Sequence, residues 1–173
     1  MTYRTTYASP IGLLTLASDG ASLTGLWPEG HRYFGSTLTE SAVEQHDLPV
    51  FAAVFRWLDR YFEGMRPSVN ELPLALAGSP FQQMIWQMLT EIPYGGVTTY
   101  GEIARKAAVL TGKPSMSAQA VGGAVGRNPV SIIVPCHRVI GSSGSLTGYA
   151  GGLAMKVRLL EHEGVDLSGF FMP

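Results

Sequence analysis

The chain has 173 residues, 46% hydrophobic and 14% charged, with a net charge of −1, which suits one compact domain or two small ones built on an apolar core. No apolar stretch reaches the roughly 18 residues of a membrane span, and the opening MTYRTTYASP lacks the layout of a secretory signal, so a cytoplasmic protein is expected. The single cysteine excludes an internal disulfide, and a structural zinc site would have to draw on scattered histidines and carboxylates.

The first half opens as a small antiparallel sheet. TYRTTYAS, GLLTLAS and SLTGLW are short runs rich in Thr, Leu and Tyr, separated by Ser9-Pro10 and by Asp19-Gly20, a hairpin signal. Residues 28–48 are polar and mixed and read as a loop. PVFAAVFRWLDRYFEG then sets Phe51, Val54, Phe55, Leu58 and Phe62 at helical spacing, with Gly64 as the stop. The proline-rich RPSVNELPLALAG marks the crossing into a second unit, which gives an N-terminal α/β domain over 1–78 and a second domain over 79–173.

The second unit begins with Ser79 as N-cap and Pro80 at the first helical position, followed by Phe81, Met84, Ile85, Met88 and Leu89 on one face. After IPYGG, the spacing of Thr99 and Glu102 in TYGE is that of a capping box and predicts a short helix through Ile103 and Ala107. A further helix near Ser117 carries Ala118, Val121, Gly122 and Val125 on one side and Gln119, Gly123 and Arg127 on the other. The two helices and their Gly/Pro turn have a helix-turn-helix outline. VGGAVG holds three glycines, each costing about 1 kcal/mol in a helix. Either close packing inside the protein or close approach to a nucleic-acid groove would account for them.

VSIIVP reads as a buried strand closed by Pro135, which puts Cys136 where strand gives way to loop. GSSGSLTGYAGG is a long glycine-rich loop, and the last helix carries Leu153, Val157 and Leu160 and stops at Gly164. Cys136 is a buried small hydrophobe or a working thiol. As a free thiol it is only about 3% ionised at neutral pH and needs a base or a positive field. His137 and Arg138 are the nearest candidates, and Glu163 or Glu161 could orient the imidazole. Residues 80–165 carry seven Lys/Arg against four Asp/Glu, whereas residues 1–79 carry five against eight. The basic half could face an anion.

VPCHRVIG, preceded by AVGGAVGRNPVSII and followed by GYAGG and LLEHEG, resembles the O6-alkylguanine-DNA alkyltransferases, also called methylated-DNA–protein-cysteine methyltransferases, from about Pro80 to Gly164. The resemblance implies a ribonuclease H-like N-terminal sheet with helix and a helical C-terminal domain with helix-turn-helix. It also implies irreversible, single-turnover transfer of an alkyl group from O6 of guanine in double-stranded DNA to the cysteine. By position, Cys136 is the acceptor, His137 deprotonates it through a water, Glu163 orients His137, and Asn128 supports the turn. Tyr100 lies beside the flipped nucleotide. The backbone of Cys136 and Val139 reads the exocyclic amine, and the backbone near Ala150 approaches O6. Gln119, Ala120, Gly123, Arg127, Arg138, Tyr149 and Gly151 complete the surface for DNA and substrate. The resemblance implies a monomer without cofactor, with O4-alkylthymine as a further candidate substrate. The family's zinc site in the N-terminal half is not expected here, because that half has no cysteine, and no membrane partner is expected.

One position departs from the family's Ala-Ala-Arg-Ala-Val-Gly pattern: Gln119 stands where an arginine usually intercalates, which predicts weaker DNA binding and slower transfer. The turn AAVLTGKPSM is also longer than in relatives. Two other readings are a non-transferring binder of alkylated DNA, which the presence of Cys136 opposes, and a cysteine hydrolase, for which His31 and His46 stand in no supporting motif.

Overall fold

The computed structural model describes residues 1–173, which divide into two compact units: Met1–Ala77 with Pro129–Ile133, and Gly78–Asn128 with Val134–Pro173.

In the first unit, β1 (Tyr3–Ser9), β2 (Gly12–Ser18) and β3 (Leu23–Pro28) pair antiparallel, as the alternation and turn signals predict. The Asp19 carboxylate accepts the amides of Ala21 and Ser22 at 2.9 and 2.7 Å and so fixes the second turn. The polar stretch after β3 contributes one short element that the sequence did not announce: β4 (Val43–Glu44) adds to β1 in parallel, giving the order β3-β2-β1-β4. The outer edge of β3 is covered by isolated bridges from Leu74 and Val130, so its backbone groups are not left open.

Helix α1 (Pro49–Phe62) buries Phe51, Val54, Trp57, Leu58 and Tyr61. The buried stripe is rotated slightly from the expected one, with Trp57 and Tyr61 inside and Phe55 and Phe62 half-buried. Leu14, Leu16, Leu26 and Trp27 of the sheet are fully buried, each contributing about 1.5–3 kcal/mol.

The second unit starts with α2 (Pro80–Thr90), closed at its N-terminus by the Ser79/Gln82 capping box. A second capping box, Thr99 with Glu102, opens α3 (Tyr100–Thr111) directly after the two-residue β5 (Thr98–Thr99). Helix α3 runs a turn beyond the expected end, carried by the strong helix formers Ala108 and Leu110, and it stops at left-handed Gly112. Ser117 caps α4 (Ala118–Gly126), which is pinned to α2 by a 2.8 Å hydrogen bond from the Trp86 indole to the Ala124 carbonyl. β6 (Val139–Ile140) pairs in parallel with β5, and α5 (Leu153–His162) follows.

VSIIVP is not a strand. The chain makes two consecutive γ-turns, Ile133 N–H to Ser131 O and Cys136 N–H to Val134 O, both 2.8 Å. Ile132 sits at φ +71°, in the left-handed region that a β-branched residue avoids. Val130 makes the only strand-like contact, through Leu26 N–H to Pro129 O and Ser131 N–H to Leu26 O. Cys136 therefore lies in a 3₁₀ turn, Cys136–Arg138, and not at a strand end.

Gly25 is required by Trp27: a Cβ there would lie 2.0 Å from the indole ring. Gly25→Ala is expected to lower stability by about 1–3 kcal/mol or more, as overpacked cores do, read as a drop in the urea unfolding midpoint of the sheet unit.

Candidate active site

Everything from Ser131 to Ile140 is buried, and Cys136 is 4% exposed. Its sulfur accepts a hydrogen bond from the Asn128 side chain and is approached by the backbone N–H groups of Cys136 and His137. Asn128 is itself fixed by a 2.8 Å bond from Nδ2 to the Val134 carbonyl, so one amide holds both ends of the turn that presents the thiol. Burial pushes the Cys136 thiol up, and the Asn128 hydrogen bond, the Lys156 charge and the backbone amides only partly offset it.

His137 is fully buried, with Nε2 at 2.5 Å from Oε2 of Glu163. A carboxylate only accepts, so the proton sits on Nε2 and the lone pair is on Nδ1. Nδ1 makes no hydrogen bond to the protein, which leaves it free to take a proton. Burial depresses the imidazole pKa despite the adjacent Glu163, keeping the ring neutral as a base must be. Glu163 is drawn in four ways. Besides His137 it accepts Arg138 Nε at 2.7 Å on Oε1, Arg138 Nη2 at 3.1 Å on Oε2, and the Gly95 amide at 3.1 Å. Burial would raise its pKa, but the hydrogen bonds and charges of His137 and Arg138 outweigh this and hold it far below the usual carboxylate range.

Tyr100 and Lys156 form the rest of the surround. The Tyr100 hydroxyl donates toward the carbonyls of Thr147 and Gly148, 3.1 and 2.7 Å away. Gly148 has φ +77°, and a Cβ there would come within 2.7 Å of that hydroxyl, so only glycine fits. Lys156 is wholly buried and donates to the Val139 carbonyl and, at 3.0 Å, to that of Thr147, with its ammonium 5.9 Å from the Tyr100 ring centroid. Burial brings its pKa down to about 8, opposed by the nearby Cys136. Tyr149, Ala150 and Gly151 are half-buried in the loop that follows.

Helix α4 turns Val121, Ala124 and Val125 inward and leaves Ala118, Gln119, Ala120, Gly123 and Arg127 exposed. Ala124 thus takes the inward place expected for Ala118. A Cβ at Gly123 or Gly126 would meet nothing within 4 Å, and one at Gly122 would make only ordinary contact with Tyr100. Packing inside the protein therefore requires no glycine at positions 123 and 126.

Sequence profiles described as the 6-O-methylguanine DNA methyltransferase ribonuclease-like domain and DNA binding domain match residues 2–76 and 80–165. The chain belongs to this family. It is 44% identical over 161 residues to the methylated-DNA–protein-cysteine methyltransferase of Haemophilus influenzae, covering 93% of this chain and 86% of that one. For the protein of the same name from Methanosarcina acetivorans the identity is 43% over 167 residues, covering 94% and 98%. Among solved structures, the Mycobacterium tuberculosis OGT in complex with DNA superposes with a TM-score of 0.79 at 42% identity, covering 93% of this chain and 92% of that one.

Two site residues of this family member read differently in three dimensions than in sequence. Arg138, expected at the DNA, is 8% exposed and spends its guanidinium on Glu163 and the Ile92 carbonyl, so it orients the carboxylate from inside. Lys156 was not anticipated at all. Its signal is that it shares a helical stripe with Leu153, Val157 and Leu160, where a solvated lysine has no place.

Because its folded pKa is depressed, Glu163 adds stability that is present above the ordinary carboxylate pKa of about 4.3 and lost as pH falls below it. Glu163→Gln is expected to cost about 3–5 kcal/mol at pH 7 by leaving Arg138 buried and unpaired, and to flatten the pH dependence of the urea midpoint between pH 6 and 3. A variant that keeps the wild-type slope there would assign that slope to other groups.

Proposed function

We propose that the chain repairs DNA by moving the alkyl group of O6-alkylguanine onto Cys136, once per molecule. The observation that carries this reading is the buried cluster around the only thiol: an amide that fixes it, a neutral imidazole oriented by an ion-paired carboxylate, and a buried ammonium. The thiol proton passes to His137 Nδ1, directly or through a water. The thiolate, supported by the Lys156 ammonium and the turn amides, attacks the alkyl carbon in line with O6. The C–S bond forms as the C–O6 bond breaks, the electron pair leaves with the guanine, and the ring takes up a proton to become ordinary guanine. The thioether carries no charge and is a poor leaving group, so the reaction stops after one turnover.

A base inside a duplex cannot reach a buried thiol, so the nucleotide is extruded at a cost of a few kcal/mol. The exposed, glycine-thinned face of α4 supports entry of that helix into the minor groove without reading sequence. Tyr100, Gly148, Ala150 and Gly151 line the side where the flipped guanine enters, and the Lys156-bonded Val139 carbonyl keeps a lone pair for its exocyclic amine. In this reading the second unit binds DNA and carries the acceptor, and the protein acts as a monomer without cofactor. No helix is long and apolar enough to cross a membrane, and the cytoplasm, where thiols stay reduced, suits the acceptor.

Intact and peptide mass after mixing with a duplex holding one O6-methylguanine tests the proposal. One methyl on the Cys136 peptide, saturating at one per protein and absent in Cys136→Ser, is expected. Tight binding without mass gain would replace transfer by recognition alone, and release of more than one equivalent of product would point to hydrolysis. Gln119→Arg should raise duplex affinity and transfer rate by about fivefold or more, the low end of what a stacked cationic side chain contributes. Unchanged binding by fluorescence anisotropy would show that Gln119 already fills the role.

A further inference from the structure

The loop Gly141–Gly148 borders the thiol site at one end: the Tyr100 hydroxyl donates toward its carbonyls at Thr147 and Gly148, and the Lys156 ammonium donates to that of Thr147. Its other end is held by a segment that lies beyond α5. The Leu146 amide donates to the Phe171 carbonyl at 2.9 Å and the Phe171 amide to the Gly144 carbonyl at 3.1 Å, which joins Ser145 and Phe171 as a parallel bridge. Leu146 is buried in a cluster with Ile140 and Leu160, against which Leu167 and Phe170 pack. The backbones come close at this point: a Cβ at Gly144, where φ is +90°, would lie 3.0 Å from the Gly169 carbonyl oxygen.

We propose that Leu167–Phe171 is a strap that holds the site loop down and thereby limits the size of the O6 substituent that Cys136 can reach. The proposal rests on the alkyl-transfer reading above. A loop tied at both ends admits a methyl group as it stands, whereas a bulky group needs the Gly141–Gly148 wall to lift. The rate for a bulky substituent is then scaled by the fraction of molecules with the wall open. Phe171 is 50% exposed, so its peptide group and not its ring makes the tie.

Phe171→Pro removes the amide that donates to Gly144 while Phe171→Ala keeps it. Gly144→Ala pushes the two backbones apart from the loop side. Amide hydrogen exchange over 141–148 is measured for each protein, together with transfer rates from duplexes carrying O6-methylguanine or O6-benzylguanine. Phe171→Pro and Gly144→Ala are expected to speed exchange of the loop by about two- to tenfold, the worth of one hydrogen bond, and to raise the benzyl-to-methyl rate ratio by a similar factor. Phe171→Ala should match wild type in both. Unchanged loop exchange in Phe171→Pro and Gly144→Ala, equal effects of Pro and Ala at 171, or a loss of both rates in proportion would overturn the strap. If wild type takes no alkyl group from either duplex, the transfer reading fails instead, and the exchange data alone decide whether the loop is tied.

Discussion

The second unit is organised around one buried carboxylate. Glu163 ends α5, yet its two oxygens reach the imidazole of His137, the guanidinium of Arg138 and the amide of Gly95 in the turn after α2. Arg138 passes the connection on to the Ile92 carbonyl. Two separated stretches of chain are thereby fixed to the end of α5, and the 3₁₀ turn that carries Cys136 is one of them. A buried ion pair of this kind gives little net stability relative to apolar packing. What it secures is the ring orientation of His137, with its lone pair directed away from the carboxylate.

The same site opposes ionisation of its own thiol. Burial drives the thiol toward its neutral form, drives Lys156 toward its neutral form, and keeps His137 uncharged. In the proposed reading the ionised sulfur is sustained against that burial by the Asn128 hydrogen bond, the Lys156 charge and the turn amides. The dry surround then leaves the thiolate poorly solvated and reactive.

Much of this was legible in the sequence where the signal is local. Asp19-Gly20 gave a tight turn, and Ser79/Gln82 and Thr99/Glu102 closed helices, because each depends on residues only a few positions apart. VSIIVP misled because a β-branched run reports burial, and burial is common to a strand and to a pair of γ-turns. The positive φ of Ile132 goes with the short Ile133–Ser131 hydrogen bond that spans it and leaves no compositional trace. Arg138 and Lys156 were misread or missed because a charged residue is assigned to solvent unless its partners are known, and those partners lie 25 residues away at Glu163 and 17 away at Val139. The residues left Glu161 and Glu163 as alternatives for orienting His137, and the family resemblance singled out Glu163, which the structure pairs with it.

In the proposed reading helix α4 offers DNA a face of alanine and glycine on which only Gln119 and Arg127 can bond to a base edge or a phosphate. Such a face fits every stretch of undamaged duplex about as well as the next, so intact DNA is the chief competitor for the protein. The time per lesion is then governed by how many sites are inspected each second and not by how tightly the lesion is held. For a molecule that must sample a genome, a light touch shortens each stop.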